Sequence, residues 1–353
     1  MNKNVKIKKI SIFVILILIF LWCCIPPVNY NCKYKLDIVG PYGDNQAYHP
    51  KVLSFDDEWN GYKYWMAYTP YPKGDSDKEN PCIAVSNNLI NWTTPQGLLN
   101  PIDEVKDSKN GKIYNSDTHI LYNDKLDRLE CFWRLVDDTT NQVIIYRSYT
   151  QDGVNFSEKE VSSISYNRKE HDYISPAIIY EDDTYKMWYV EHDYKVKYEE
   201  SNDAINWSEP VILDLKYDDT KLNTWHIDVI STEKGYEMLS VAFDTWKNRN
   251  DMSLYYSYSN NEKTGWKKGE KILEPTKGTK YWDNKGIYRT CFMYEDGEYI
   301  VFYSGTDLDM NHGIGLLYGR KIEKLKKVNI DFSDEKDIKK LEKEIKTEKE
   351  DNK

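Results

Sequence analysis

Asn88-Leu89-Ile90-Asn91-Trp92, Asp152-Gly153-Val154-Asn155-Phe156 and Asp203-Ala204-Ile205-Asn206-Trp207 are copies of one turn, and Lys263-Thr264-Gly265-Trp266 is a further copy. The aromatic residue closing each copy falls at 92, 156, 207 and 266, at intervals of 64, 51 and 59 residues. Ser86, Ser148, Ser201 and Ser259 precede these turns at similar offsets. Asn91-Trp92-Thr93, Asn155-Phe156-Ser157 and Asn206-Trp207-Ser208 have the form of glycosylation sequons. Their identical place in the repeat marks them instead as turn chemistry: Asn tolerates the turn backbone, and the ring packs between neighbouring units. Periods of this length imply a ring or stack of supersecondary units.

Outward from each turn the grammar repeats: an apolar strand, a charged or glycine turn, a strongly aromatic strand, then a third strand. The units begin at His49-Pro50-Lys51, Asp117-Thr118-His119, Ser175-Pro176-Ala177, His226-Ile227-Asp228 and Tyr288-Arg289-Thr290. Their aromatic strands run over 62–68, 129–135, 185–190, 236–243 and 299–303. Aromatic residues make up 14% of the chain, with 30 Tyr and 11 Trp, a composition that suits pleated, half-buried surfaces. Five units of about 50–60 residues, each of three to four strands, predict an all-β, five-bladed β-propeller over residues 40–325. A β-sandwich with long excursions is the alternative.

The ends differ from the repeats. Lys3, Lys6, Lys8 and Lys9 precede an apolar run from Ile10 to Ile25, closed by Pro26 and Pro27. As a helix its sixteen residues span roughly 24 Å, which fits a signal-peptide core or a short anchor. No small-x-small cleavage site follows, so the expectation for residues 1–27 is a signal anchor, with a cleaved signal peptide or lipidation at Cys23 or Cys24 as alternatives. The flanking lysines place the propeller outside the membrane, exported and tethered or secreted. Residues 326–353 read as a charged tail: Ser333-Asp334-Glu335 can cap a helix, but the Lys/Glu-rich remainder shows no apolar face. The tail is expected to be solvated and dispensable for stability. Cys82, Cys131 and Cys291 lie in strand-like runs and read as small core hydrophobes, with neither zinc-ligand spacing nor a disulfide framework. A formal charge of −10 with no basic stripe excludes nucleic acid as a partner.

In a propeller the start of each first strand, the end of each second and the start of each third converge on one rim. Read off the repeats, that rim carries His49, Tyr71, Glu79 and Asn80 from unit one, and Asp117, His119 and Arg134 from unit two. Unit three gives His171, Asp172, Glu191 and His192. Unit four gives Trp225, His226, Asp228, Asp244 and Trp246, and unit five Arg289 and His312. All the histidines of the chain fall in this set. An aromatic, polar concavity of this kind suits a carbohydrate.

The repeat layout, the Asn-Trp turns and the strand starts Trp225-His226-Ile227-Asp228 and Tyr288-Arg289 resemble the glycoside hydrolase family 43/32 superfamily of five-bladed propellers. The resemblance implies a carboxylate base from blade one, a pKa-tuning aspartate from blade two and a glutamic acid from blade three. Asp117 matches the second seat. The first holds His49 and the third Ile174, so two of the three carboxylates are absent from their usual places.

Hydrolysis of a glycosidic bond needs an acid and a carboxylate facing one another across the substrate. The candidates are Asp228 or Asp117 as base and Glu79 or Glu191 as acid. Arg134 and Arg289 would grip an anionic group on the glycan. The remaining rim residues His49, Tyr71, His171, His192, Trp225, His226, Asp244, Trp246 and His312 would bind substrate. A divalent ion among His49, His171, His226 and Asp228 is chemically possible, but nothing in the spacing demands one, and no cofactor is expected. The sequence therefore supports a glycosidase acting on an extracellular or envelope polysaccharide, with a non-catalytic carbohydrate-binding propeller and a structural role as alternatives.

Overall fold

The computed structural model describes residues 30–244, 249–278 and 280–350. The lysine-flanked apolar segment, Cys23, Cys24 and Trp246 lie outside them. Among the described residues no helix is long and apolar enough to cross a membrane.

Five antiparallel sheets form the blades. Blade one holds β1 (Ala47–Trp59), β2 (Tyr62–Pro70) and β3 (Cys82–Ser86). Blade two holds β4 (Ile113–Asn123), β5 (Arg128–Asp137), β6 (Gln142–Thr150) and β7 (Glu160–Ser165). Blade three holds β8 (Ile174–Glu181), β9 (Thr184–Val190), β10 (Val196–Ser201) and β11 (Val211–Ile212). Blade four holds β12 (Leu222–Thr232), β13 (Gly235–Asp244), β14 (Ser253–Ser259) and β15 (Glu270–Leu273). Blade five holds β16 (Gly286–Glu295), β17 (Glu298–Thr306) and β18 (His312–Gly319). The first strands β1, β4, β8, β12 and β16 touch in ring order around the centre.

The repeated turn works by one device. The Oδ1 of Asp152 accepts from the amides of Val154 and Asn155 at 2.9 and 2.7 Å, and that of Asp203 from Ile205 and Asn206 at 2.8 and 2.7 Å. Asn88 and Asn261 do the same with their amide oxygens. A hydroxyl two residues upstream accepts the next amide: Ser86, Ser201 and Ser259 in three blades, but Thr150 rather than Ser148 in blade two. Ser148 instead donates to Ser157 O. Gly153 sits at φ +73°, and a Cβ there would lie 2.1 Å from the Trp65 ring, so blade one packs on blade two through the missing side chain.

Between blades the aromatic strands interlock. Trp65 and Trp133 are buried between blades one and two, and Trp188 between three and four. Each such side chain contributes about 1.5–3 kcal/mol of burial. Cys82, Cys131 and Cys291 are buried free thiols in this packing.

The ring is closed by the segments that precede blade one and follow blade five. Leu36 N–H donates to Ile314 O on β18, and Cys32 pairs in parallel with Val328. The C-terminal segment corrects the expectation of a solvated tail. Helix α1 (Glu335–Glu350) buries Ile338, Leu341 and Ile345 in the core shared by blades one and five, alongside Phe332. These apolar residues are spaced three and four apart, one helical face. The charged residues between them hide that stripe in a reading of composition. Tyr318 Oη donates to Glu344 at 3.2 Å, and Asn88 to Glu342, which ties the helix to both blades.

Candidate active site

Every first strand breaks register at the same place: between Tyr48 and Lys51, Ser116 and His119, Ile174 and Ala177, Thr224 and His226, and Ile287 and Thr290. Such bulges re-aim side chains and bend the strand. Here they lie at the channel mouth. In three blades the bulge holds a non-glycine residue at positive φ: His49 at +51°, Asp117 at +50° and Ser175 at +54°. Each costs on the order of 1–3 kcal/mol, and such strain clusters at functional sites.

The side chains so placed converge. His49, Asp117 and His226 each offer one ligand atom within 4.8 Å of the other two, and all three are buried. They line a pocket of about 450 Å³ with Glu79, Tyr71, Tyr114, Ile174, Trp225, Arg249 and Tyr288. His226 Nδ1 lies 3.5 Å from Asp117 Oδ1, and neither ring nitrogen of His226 makes a hydrogen bond. His49 Nδ1 is 2.8 Å from Thr69 Oγ1 and 3.2 Å from Glu79 Oε1, while its Nε2 has no hydrogen bond. An Nδ1–H shared between those oxygens leaves the Nε2 lone pair turned to the pocket, the arrangement that orients a ligating imidazole.

Charge is arranged to match. Burial pushes both imidazoles down, His226 to about 3 and His49 well below its ordinary value, with Asp117 opposing, so both are neutral near pH 7. Burial would raise Asp117, but His226, Arg289, His49 and Arg134 outweigh it and hold its carboxyl at about 2. With the imidazoles neutral, the guanidiniums do that work: Arg289 Nη1 is 3.4 Å and Arg134 Nη1 4.0 Å from its oxygens. Glu79 is driven the other way, well above the usual carboxylate range, by burial and by Asp117. Two short helical turns, Pro72–Gly74 and Ser76–Lys78, deliver it, and its amide closes the second by donating to Ser76 O. Two neutral imidazoles and one ionised carboxylate form a donor set for a divalent transition metal. The sequence reading foresaw no metal; the set gathered here takes Asp117 where that reading had weighed Asp228 and His171.

Other expected residues lie elsewhere. Asp228 is below the pocket, bound to Lys51 Nζ at 2.7 Å and to the Phe292 amide at 3.2 Å. Glu191 is held by His171, Lys197 and the Asp172 amide at 2.9, 2.9 and 2.6 Å, outside the pocket wall. His192 is exposed, 3.6 Å from Asp172. Asp244 faces a separate concavity with Asp218, Asp219 and Asp251. His312 lies in an adjoining hollow. Arg134 and Arg289, expected to grip substrate, are spent on Asp172 and Asp117. His119 bridges blades, its Nε2 meeting both the carbonyl and the amide of Ile178. Sequence reasoning missed Tyr114, Arg168 and Arg249 as lining residues. Arg168 and Arg249 come from inter-strand loops, which the repeat does not index.

No family profile matches the chain. The sequence is 29% identical, over an alignment 332 positions long that covers 77% of this chain, to the A type blood N-acetyl-α-D-galactosamine deacetylase of Flavonifractor plautii, and it spans 41% of that protein's length. The crystal structure of an N-acetylgalactosamine deacetylase from F. plautii in complex with blood group B trisaccharide matches with a TM-score of 0.74 and 24% identity, covering 83% of this chain and 96% of that one. A thermostable family-43 glycoside hydrolase matches at 0.57 and 17%, covering 83% and 95%. The chain is a five-bladed β-propeller and shares that fold with the family-43 glycoside hydrolase. Its sequence is similar to that of the F. plautii deacetylase over less than half of that protein's length.

Proposed function

We propose that the protein is a carbohydrate deacetylase that hydrolyses the acetamide of an N-acetylated amino sugar within a glycan. The observation that carries this reading is the cluster of His49, Asp117 and His226 with Glu79 set against it. The likeness to the F. plautii enzyme supports it, and so does Ile174, which lines the pocket at the seat where a family-43-like glycosidase would place its acid. Among the described residues that line the pocket, blade three presents no carboxyl to a glycosidic oxygen.

His49, Asp117 and His226 would hold a divalent ion. Such an ion polarises a carbonyl and lowers the pKa of water. Glu79 lines the same pocket, and a divalent ion beside it would offset the burial that raises its pKa and favour the carboxylate. As the carboxylate it takes a proton from the attacking water, whose oxygen bonds to the acetyl carbon. It then passes that proton to the nitrogen as the C–N bond breaks, leaving acetate and a free amine. Asp117, held ionised by Arg289 and Arg134, cannot compete for the proton. Tyr71, Trp225 and Tyr288 supply ring faces for the sugar.

The test is to incubate the protein, with and without added divalent metal, with oligosaccharides ending in N-acetylgalactosamine or N-acetylglucosamine. Acetate and free amine should appear in equal amounts without new reducing ends. New reducing ends without acetate would instead establish a glycosidase, and saturable binding without turnover a recognition module.

A further inference from the structure

Next to the central pocket, and sharing Tyr71, Arg249 and Tyr288 with it, lies a second hollow of about 270 Å³. Its floor is aromatic. Tyr48 stacks on Tyr288 with centroids 5.1 Å apart, and His312 lies 4.5 Å from Tyr48 and 4.9 Å from Tyr71. A sugar lying there would be joined directly to one in the central pocket, because the two hollows have a common wall.

The cations differ between the two hollows. In the central pocket Arg134 and Arg168 are committed to Asp172, and Arg168 also to Asp138. Arg249, on the shared wall, is exposed and stacks over the Trp225 ring at 4.4 Å. Among the described residues it has no carboxylate within ion-pair distance. It lines both hollows. Lys285, across the second hollow, has the Met310 thioether at 2.8 Å and likewise no carboxylate within ion-pair distance among the described residues. His312 adds no charge near neutral pH, since burial lowers it to about 4. Two cations with no acidic partner among the described residues, around one aromatic hollow, stand out on a chain of net charge −10.

We infer that this hollow is a subsite for an acidic sugar, one bearing a carboxylate or sulfate, linked next to the N-acetylated residue. The guanidinium fork of Arg249 matches either planar or tetrahedral oxyanions, and Lys285 supplies a second point of charge. The inference rests on the deacetylase reading only for the identity of the neighbouring sugar.

The experiment uses disaccharides in which N-acetylgalactosamine or N-acetylglucosamine is joined to glucose, to glucuronic acid or to 6-sulfated galactose. Dissociation constants by calorimetry and kcat/KM for acetate release are measured on the wild type, Arg249→Gln and Lys285→Gln. At least one acidic series should bind about tenfold more tightly than its neutral partner, a difference of about 1.4 kcal/mol. That ratio should fall towards one in each variant and at high salt. The two acidic arms tell a carboxylate from a sulfate. Equal affinity for neutral and acidic sugars, no binding of any of them, or a preference that survives both substitutions would overturn the subsite. If acidic sugars bind through Arg249 but no acetate is released, the deacetylase reading fails and the subsite stands.

Discussion

The ammonium of Lys51 in blade one meets Asp228 Oδ1 in blade four at 2.7 Å, while the Phe292 amide of blade five donates to the other oxygen at 3.2 Å. Three blades are thus tied on one buried carboxylate. Removing a single member of a buried pair leaves the other charge unpaired, at a cost of about 3–5 kcal/mol. Asp228→Ala should therefore lower the melting temperature by many degrees, and Lys51→Met paired with Asp228→Leu should restore much of it. Unchanged stability in Asp228→Ala, together with lost turnover, would return this residue to the chemistry.

Glu79→Gln keeps the side chain's shape and removes its ability to carry a proton. Acetate release should drop by about 10²- to 10⁴-fold, the usual range for a general acid–base group, with sugar affinity by calorimetry largely retained. A variant as active as the wild type would remove Glu79 from the mechanism.

His226→Ala and Asp117→Asn each take one donor from the buried cluster. Metal content after dialysis against zinc or manganese, read by elemental analysis, should fall from about one ion per chain to a small fraction. The His226→Ala fold should survive, since His226 makes no hydrogen bond that its loss would orphan, whereas Asp117→Asn also leaves the buried Arg289 without its carboxylate and should lower the melting temperature. Equal metal content in wild type and both variants would place any bound ion elsewhere.

Helix α1 gives a stability test. Leu341 is 2% exposed, and Leu341→Ala should cost about 2–5 kcal/mol if the helix melts with the propeller. Truncation before Ser333 removes Ile338, Leu341 and Ile345 from the shared core together and should lower the melting temperature further. An unchanged transition in both would mean that the helix unfolds independently.

Acid behaviour follows from the turns. Backbone and side-chain donors around Asp152 and Asp203 lower both carboxyls below their ordinary value. A lowered folded pKa gives stability that is present above the unfolded value of about 3.9 and is lost as pH falls through the folded value. Asp152→Asn with Asp203→Asn keeps the acceptor oxygen that Asn88 already uses in blade one. The double variant should show a shallower fall of melting temperature below about pH 4, measured by calorimetry. An identical acid limb would mean that these carboxyls do not carry the linkage.

The propeller was legible because Asn88, Asp152 and Asp203 each begin the same turn, and a repeat announces itself without any alignment. The site was legible in part for the same reason: His49, Asp117 and His226 stand at strand starts. What the repeat could not convey is depth. His226 and Asp228 share a strand face, but two residues of strand separate them by about 6.8 Å, so one reaches the pocket and the other the ion pair below it. Nor could it convey the bulges, because a register break depends on both strands. The helix escaped notice because its three buried residues are scattered among lysines and glutamates, where position along 3.6 residues per turn matters more than composition.

Cys32 and Val328 pair side by side, with the Lys33 amide donating to Val328 O and the Val328 amide to Asn31 O. The two ends of the propeller therefore leave the ring as neighbours, and the closure is held by backbone hydrogen bonds instead of a peptide link. The order in which the blades are written along the gene is then incidental to the ring they form. A circular permutant that links the end of helix α1 back to residues near 30 and opens the chain at an exposed inter-blade loop would preserve every blade, the converging bulges and the pocket between them, while moving both free ends to another point on the circumference.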